Sequence, residues 1–234
     1  MDSPRVALVT GVGPGLGAAL ARRFAREGFA LGLVARQHDF IDELARELSA
    51  NGRKAIGVAA DVSRPEEIQS AVARVRAELG KISVLLHNAS SSSGAGLLGT
   101  TPEEFESSWR IASLGGFVSA RETAPDMIEA GAGAMIFTGA TSSVRGGGWL
   151  AFSSAKFALR GLVQSLAREL WPKGVHVAHV VVDGIIGVTG EADTGEPALD
   201  PDQMAEAYWQ LARQDRAAWT LELDLRPHGE KFFE

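Results

Sequence analysis

Short apolar runs alternate with longer amphipathic stretches along this chain. The runs cover residues 6–9, 29–35, 55–60, 82–86, 134–137 and 175–182. Each is rich in Val, Ile and Leu and apolar on successive residues, as in strands buried on both faces of a parallel sheet. Between them, residues 16–27, 39–48 and 63–79 place apolar side chains at helical spacing, with Phe40, Ile41, Leu44 and Leu48 on one side of the second stretch. Ser63 is the expected N-cap of the third. Thr101-Pro102-Glu103-Glu104 is a capping box with proline at the first helical position, and Asp200-Pro201 opens a late helix in the same way. A last strand is expected near 219–225. The repeated β-α order predicts an α/β fold, a doubly wound parallel sheet with helices on both faces. No linker divides the chain, so residues 1–234 form one domain. The irregular stretch 184–200 is expected to be a lid or binding loop.

A length of 234 residues suits one α/β domain. Net charge is 23 − 29 = −6, which argues against broad binding to nucleic acid or to an anionic membrane. There is no cysteine, hence no disulfide, thiolate zinc site or cysteine nucleophile. The start lacks the apolar stretch of a signal peptide, and no run approaches the ~18 apolar residues of a membrane span. A cytoplasmic protein is expected. His176 and His179 differ in parity on one strand and so face opposite sides, and no metal site is expected.

The first strand runs into Thr10-Gly11-Val12-Gly13-Pro14-Gly15-Leu16-Gly17. A glycine-rich turn between strand and helix lets backbone N–H groups approach a pyrophosphate at the helix N-terminus. The second strand ends in Ala35-Arg36-Gln37, with no carboxylate for the ribose 2′-hydroxyl of NAD. The guanidinium fork of Arg36 suits a 2′-phosphate, so NADP(H) is favoured and NAD(H) remains open.

With this glycine spacing the chain resembles the short-chain dehydrogenase/reductases over nearly its whole length. The resemblance implies a Rossmann-type fold and a cofactor site at Gly11, Gly15, Leu16 and Gly17, joined by Arg36. Asp61-Val62 looks like the family's adenine-contacting pair, and Asn88-Ala89-Ser90 like its Asn-Ala-Gly motif. Val182-Asp183-Gly184 stands for the usual Asn-Pro-Gly, placing Gly184 and Ile186 beside the cofactor.

The family's Tyr-x-x-x-Lys reads Phe152-Ser153-Ser154-Ala155-Lys156. The lysine is kept, and by resemblance it holds the nicotinamide ribose. The tyrosine that carries the proton is phenylalanine. Counting thirteen residues back from Phe152 reaches Gly139 where the family has its serine, with Thr141, Ser142 and Ser143 just beyond. The asparagine position falls on Ser113. A divergent group within the family shares the phenylalanine, the lysine and an ending like Trp219 to Pro227. Ser142 and the chain's one tyrosine, Tyr208, are candidate replacement acids. Trp149 and Arg145 flank the expected substrate opening, and Glu191, Asp193, Glu196 and Asp200 disfavour an anionic substrate there.

Two functions follow. One is an NADP(H)-dependent oxidoreductase on a small carbonyl or alcohol, with an incomplete catalytic set. The other is a dinucleotide-binding sensor or regulatory protein without redox chemistry. The resemblance also implies a homodimer or homotetramer, paired through the helices near 101–128 and 149–170.

Overall fold

The apolar runs form a seven-stranded sheet in which every pairing is parallel. The computed structural model describes residues 5–91, 94–188 and 198–229. The strands are β1 Val6–Thr10, β2 Ala30–Ala35, β3 Ala55–Ala59, β4 Ile82–His87, β5 Gly133–Thr138, β6 Val175–Val182 and β9 Glu222–Leu225. Their order is β3-β2-β1-β4-β5-β6-β9, so the winding reverses between β1 and β4. Ligands of open α/β sheets bind beyond the strand ends at such a reversal. The short strands β7 Ile185–Ile186 and β8 Ala198–Leu199 pair with each other outside this sheet.

Helices cover both faces. On one side lie α1 Leu16–Arg26, α2 His38–Ala50 and α7 Pro201–Ala212, packed on residues such as Val9, Leu31 and Val180. On the other lie α3 Pro65–Leu79, α5 Gly115–Ala130 and α6 Leu150–Leu170, packed on Leu8, Val34 and Val177. The alternation Val177, Ala178, His179, Val180 thus feeds two cores from one strand.

Four sequence expectations shift. The α3 N-cap is Arg64 rather than Ser63, because Pro65 takes the first helical position. The single helix expected over 101–128 is broken. α4, Pro102–Trp109, carries the full capping box, and a π-helical turn, Arg110–Leu114, separates it from α5. At the junction a Cβ on Gly115 would stand 2.8 Å from the Val62 carbonyl oxygen, so glycine lets the chain pass over β3's end. The last strand begins at Glu222 rather than near Trp219, since Gln214 accepts from the Trp219 indole through its carbonyl and holds the Thr220 backbone with its amide. Asp200 caps α7 through the N–H groups of Asp202 and Gln203. Its charge is therefore used locally, and Glu191, Asp193, Glu196 and most of the expected lid lie outside the described residues.

Candidate active site

The strand ends and the glycine loop enclose one cleft of about 1120 Å³. Gly11 takes φ +76°, and a Cβ there would stand 2.5 Å from the backbone of Ala89. A Cβ on Gly17 would stand 2.8 Å from the Gly11 carbonyl oxygen. Only glycine permits this packing of loop against helix and strand. Gly15 is different: its Cβ position is open to 3.6 Å, so its missing side chain serves the cleft rather than the packing.

Gly15 is also the N-cap of α1. No side chain caps this end and no acidic residue stands in its first turn, in contrast to the side-chain caps of α4 and α7. The orphan N–H groups and the positive end of the helix are left for an anion. Leu16 and Gly17 border the same cleft.

The remaining cofactor positions named from the sequence also line it: Arg36, Asp61, Val62, Asn88, Gly184 and Ile186. Arg36 is exposed and forms no hydrogen bond or ion pair with a described residue. Burial alone would raise the Asp61 carboxyl, but hydrogen bonds from Ser63, then the nearby charges of Arg36 and Arg64, bring it below its ordinary value. Asn88 is spent on the scaffold. Its amide nitrogen donates to the Gly11 carbonyl (3.0 Å) and its amide oxygen accepts from the Thr138 hydroxyl (3.1 Å).

Lys156 is 1% exposed, yet it borders the cleft. Its ammonium donates to the Thr138 carbonyl at 2.8 Å. Burial lowers its pKa to about 8. Phe152 lies one helical turn earlier on α6 and borders the cleft, with Trp149 edge-on to it at 5.8 Å. His87 ends β4, fully buried, with Nδ1 2.8 Å from the Thr10 hydroxyl. Burial, then the charge of Lys156, lowers its pKa to about 3, so it stands as a neutral packed residue.

Three candidates are displaced. Ser113 sits buried in the π-helical turn and does not border the cleft, where Ile111 does instead. Arg145 does not line the cleft either. Tyr208 is fully buried on the opposite side of the sheet, and its hydroxyl donates to Thr138 at 2.8 Å, because Thr138 itself donates to Asn88. Burial raises its pKa well beyond the ordinary phenol value, which removes it as a proton donor. Ser142 does border the cleft.

Gly139 also lines the cleft, and sequence reasoning missed what stands beside it. A Cβ added there would meet Nε2 of His179 at 2.0 Å. The imidazole fills the space in which a serine side chain would stand. Pairing of His179 with Phe137 in the β5–β6 register puts both on one face, two residues short of Gly139.

Among the described residues no group of three His, Asp or Glu side chains is placed to hold a metal ion, and no helix is long and apolar enough to cross a membrane.

Fold and cleft together define a Rossmann-type α/β protein with an anion-binding glycine turn at its switch point. The sequence model of the short chain dehydrogenases matches residues 5–194. The chain belongs to the short-chain dehydrogenase/reductase family, a family of oxidoreductases. It is 34% identical over 178 residues to a short-chain dehydrogenase/reductase of Armillaria gallica, covering 74% of this chain and 68% of that one. A short-chain dehydrogenase structure from Rhodopseudomonas palustris superposes with a TM-score of 0.86 at 36% identity, over 96% of this chain and 99% of the other. A metagenomic short-chain oxidoreductase solved in complex with NADP superposes with a TM-score of 0.85 at 29% identity, over 97% and 99%.

Proposed function

We propose that this protein is an NADP(H)-dependent oxidoreductase acting on a small carbonyl or alcohol. The observation that carries the reading is Lys156, a buried ammonium kept at the cleft although its usual hydroxyl partner is gone. A buried lysine costs stability, so its retention points to use.

The cleft fits the cofactor. The uncapped N-terminus of α1 receives the pyrophosphate, Asp61 and Val62 flank the adenine, and Arg36 takes the 2′-phosphate. Lys156 has N–H donors beyond the one given to Thr138, and these serve the nicotinamide ribose. The bound cofactor supplies or accepts hydride. The NADP complex of the metagenomic relative supports the same cofactor here.

Phe152 has no proton to give. Losing a general acid typically removes ~10²–10⁴-fold in rate, while the proximity of bound reactants remains. Lys156 carries a titrating proton near neutral pH at the cleft. Trp149 and Phe152 give the substrate end an aromatic wall, which favours an uncharged substrate with an apolar body. We further propose a homo-oligomer, because α4, α5 and α6 expose Phe105, Trp109, Phe117 and Phe157.

The test is a calorimetric titration with NADPH and NADH, followed by cofactor turnover with a panel of uncharged ketones and secondary alcohols. Preferred NADPH binding with turnover is expected. NADPH binding without turnover on any substrate class supports a sensor instead, and binding of neither cofactor overturns the reading.

A further inference from the structure

Among the described residues, the charged side chains that border the cleft are Arg36, Asp61, Lys156 and Asp183. The sheet order divides them into two pairs. Arg36 and Asp61 follow β2 and β3, on one side of the glycine turn that ends β1. Lys156, held at the end of β5 by the Thr138 carbonyl, and Asp183, which follows β6, stand on the other side. With the 2′-phosphate at Arg36 and the pyrophosphate at the glycine turn, this second half is the one left for the nicotinamide.

Asp183 stands where the family has an uncharged proline, so its charge is this chain's own addition. Two contacts build it in. Its backbone N–H donates to the Leu225 carbonyl at 3.0 Å, a bond that proline could not make. Its Oδ2 accepts from Nη1 of Arg226, whose side chain is only 9% exposed. The same guanidinium donates to both carboxylate oxygens of Asp224, at 2.7 and 3.1 Å. Among the described residues one cation thus serves two carboxylates and does not cancel both. The Asp183 side chain remains 22% exposed, in contrast to the closed-in Lys156.

The nicotinamide ring is a cation in NADP⁺ and neutral in NADPH, and the rest of the cofactor is the same in both. Charges on the wall beside it therefore sort the two forms. The ammonium of Lys156 disfavours the cation, and the carboxylate of Asp183 favours it. Phe152 and Trp149, at the same end, bring no charge.

We propose that Asp183 sets the redox preference of the cofactor site, its carboxylate favouring the cationic ring of NADP⁺ over the neutral ring of NADPH. This rests on the NADP(H) reading above. Arg226 acts through Asp183 and is a positioning residue. A site that holds NADP⁺ the more tightly shifts the bound equilibrium toward NADP⁺ and alcohol, so Asp183 biases the protein toward carbonyl reduction.

The experiment is a calorimetric titration of the full-length wild type, Asp183→Asn, Asp183→Ser and Glu129→Gln with NADP⁺ and with NADPH. The quantity read is the ratio of the NADP⁺ Kd to the NADPH Kd, in which any loss common to both forms cancels. In both Asp183 variants this ratio should rise by about 10-fold, the effect of one charge several ångströms from the ring in a partly screened site. The change should fall on NADP⁺, with NADPH close to its wild-type Kd. Glu129 pairs with Lys81, which precedes β4 at the far end of the sheet, and Glu129→Gln should leave the ratio as in wild type. A ratio unchanged in the Asp183 variants overturns this proposal and leaves the cofactor reading standing, as does an equal shift in Glu129→Gln. Wild type that binds neither form overturns the NADP(H) reading and this proposal with it.

Discussion

The ammonium of Lys156 stands 5.5 Å from the centroid of the Phe152 ring. Phenylalanine thus keeps one property of the tyrosine, a π face for the neighbouring cation, and loses the other, a proton. The cation stays beside the cleft, held also by the Thr138 carbonyl.

This pairing sets the first prediction. Phe152→Tyr adds a hydroxyl at a cleft-lining ring beside a lysine that lowers its pKa. On an alcohol or ketone that the wild type turns over, kcat should rise by about 10-fold or more, within the range typical of acid–base catalysis. Steady-state rates with NADP(H) read this directly, and an unchanged kcat would mean that the substrate oxygen is held away from residue 152. Adding Gly139→Ser to complete the family pattern is closed by the 2.0 Å approach of His179. That serine needs His179→Ala beside it.

Lys156 also makes stability depend on pH. Its pKa is about 8 folded against 10.5 for a free side chain, so burying the charged form costs about 3 kcal/mol. Below pH 8 both states hold the proton and the whole cost is present. Between pH 8 and 10.5 only the unfolded chain still holds it, so the cost shrinks as pH rises. Lys156→Met removes the charge at every pH. Its stability relative to wild type should therefore fall by about 3 kcal/mol from pH 7 to pH 10.5 in urea unfolding, and a pH-independent difference would show that the ammonium is not desolvated.

Cofactor choice rests on Arg36. Its replacement by Asp should weaken NADPH by about 10- to 100-fold, the worth of a charged hydrogen-bonding contact, and leave NADH equal or tighter. Calorimetric Kd values for the two cofactors decide this, and equal losses for both would assign Arg36 a general charge effect.

Assembly is tested at Phe157, which is 43% exposed on α6. Phe157→Glu places a charge where an apolar contact between copies is proposed. Sedimentation should report a smaller species than wild type with an unchanged circular dichroism spectrum. A wild type that already sediments as a monomer removes the interface.

The sheet was legible because buried parallel strands write their burial on successive residues, as in Val6–Thr10 and Val175–Val182. The glycine turn was legible because Gly11 and Gly17 are required by backbone approaches that local spacing encodes. The break at Arg110–Leu114 was not, because a π turn leaves no composition mark and depends on the passage of Gly115 over Val62. Tyr208 was misread because position on a late helix does not say which side of the sheet it reaches. His179 was read only for parity. Its meaning lies in Gly139, 40 positions away in sequence, and in Glu222, 43 positions the other way. Such pairings belong to the tertiary fold and to no local window.

The edge strand β9 gives the protein an order of assembly. The switch-point loop, its helix and the first three strands are local in sequence and precede residue 60. Glu222 joins His179 only when β9 docks beside β6, across a long chain excursion that closes slowly. On the ribosome the switch-point turn and its first three strands therefore emerge well before β9, the strand that braces His179 through Glu222.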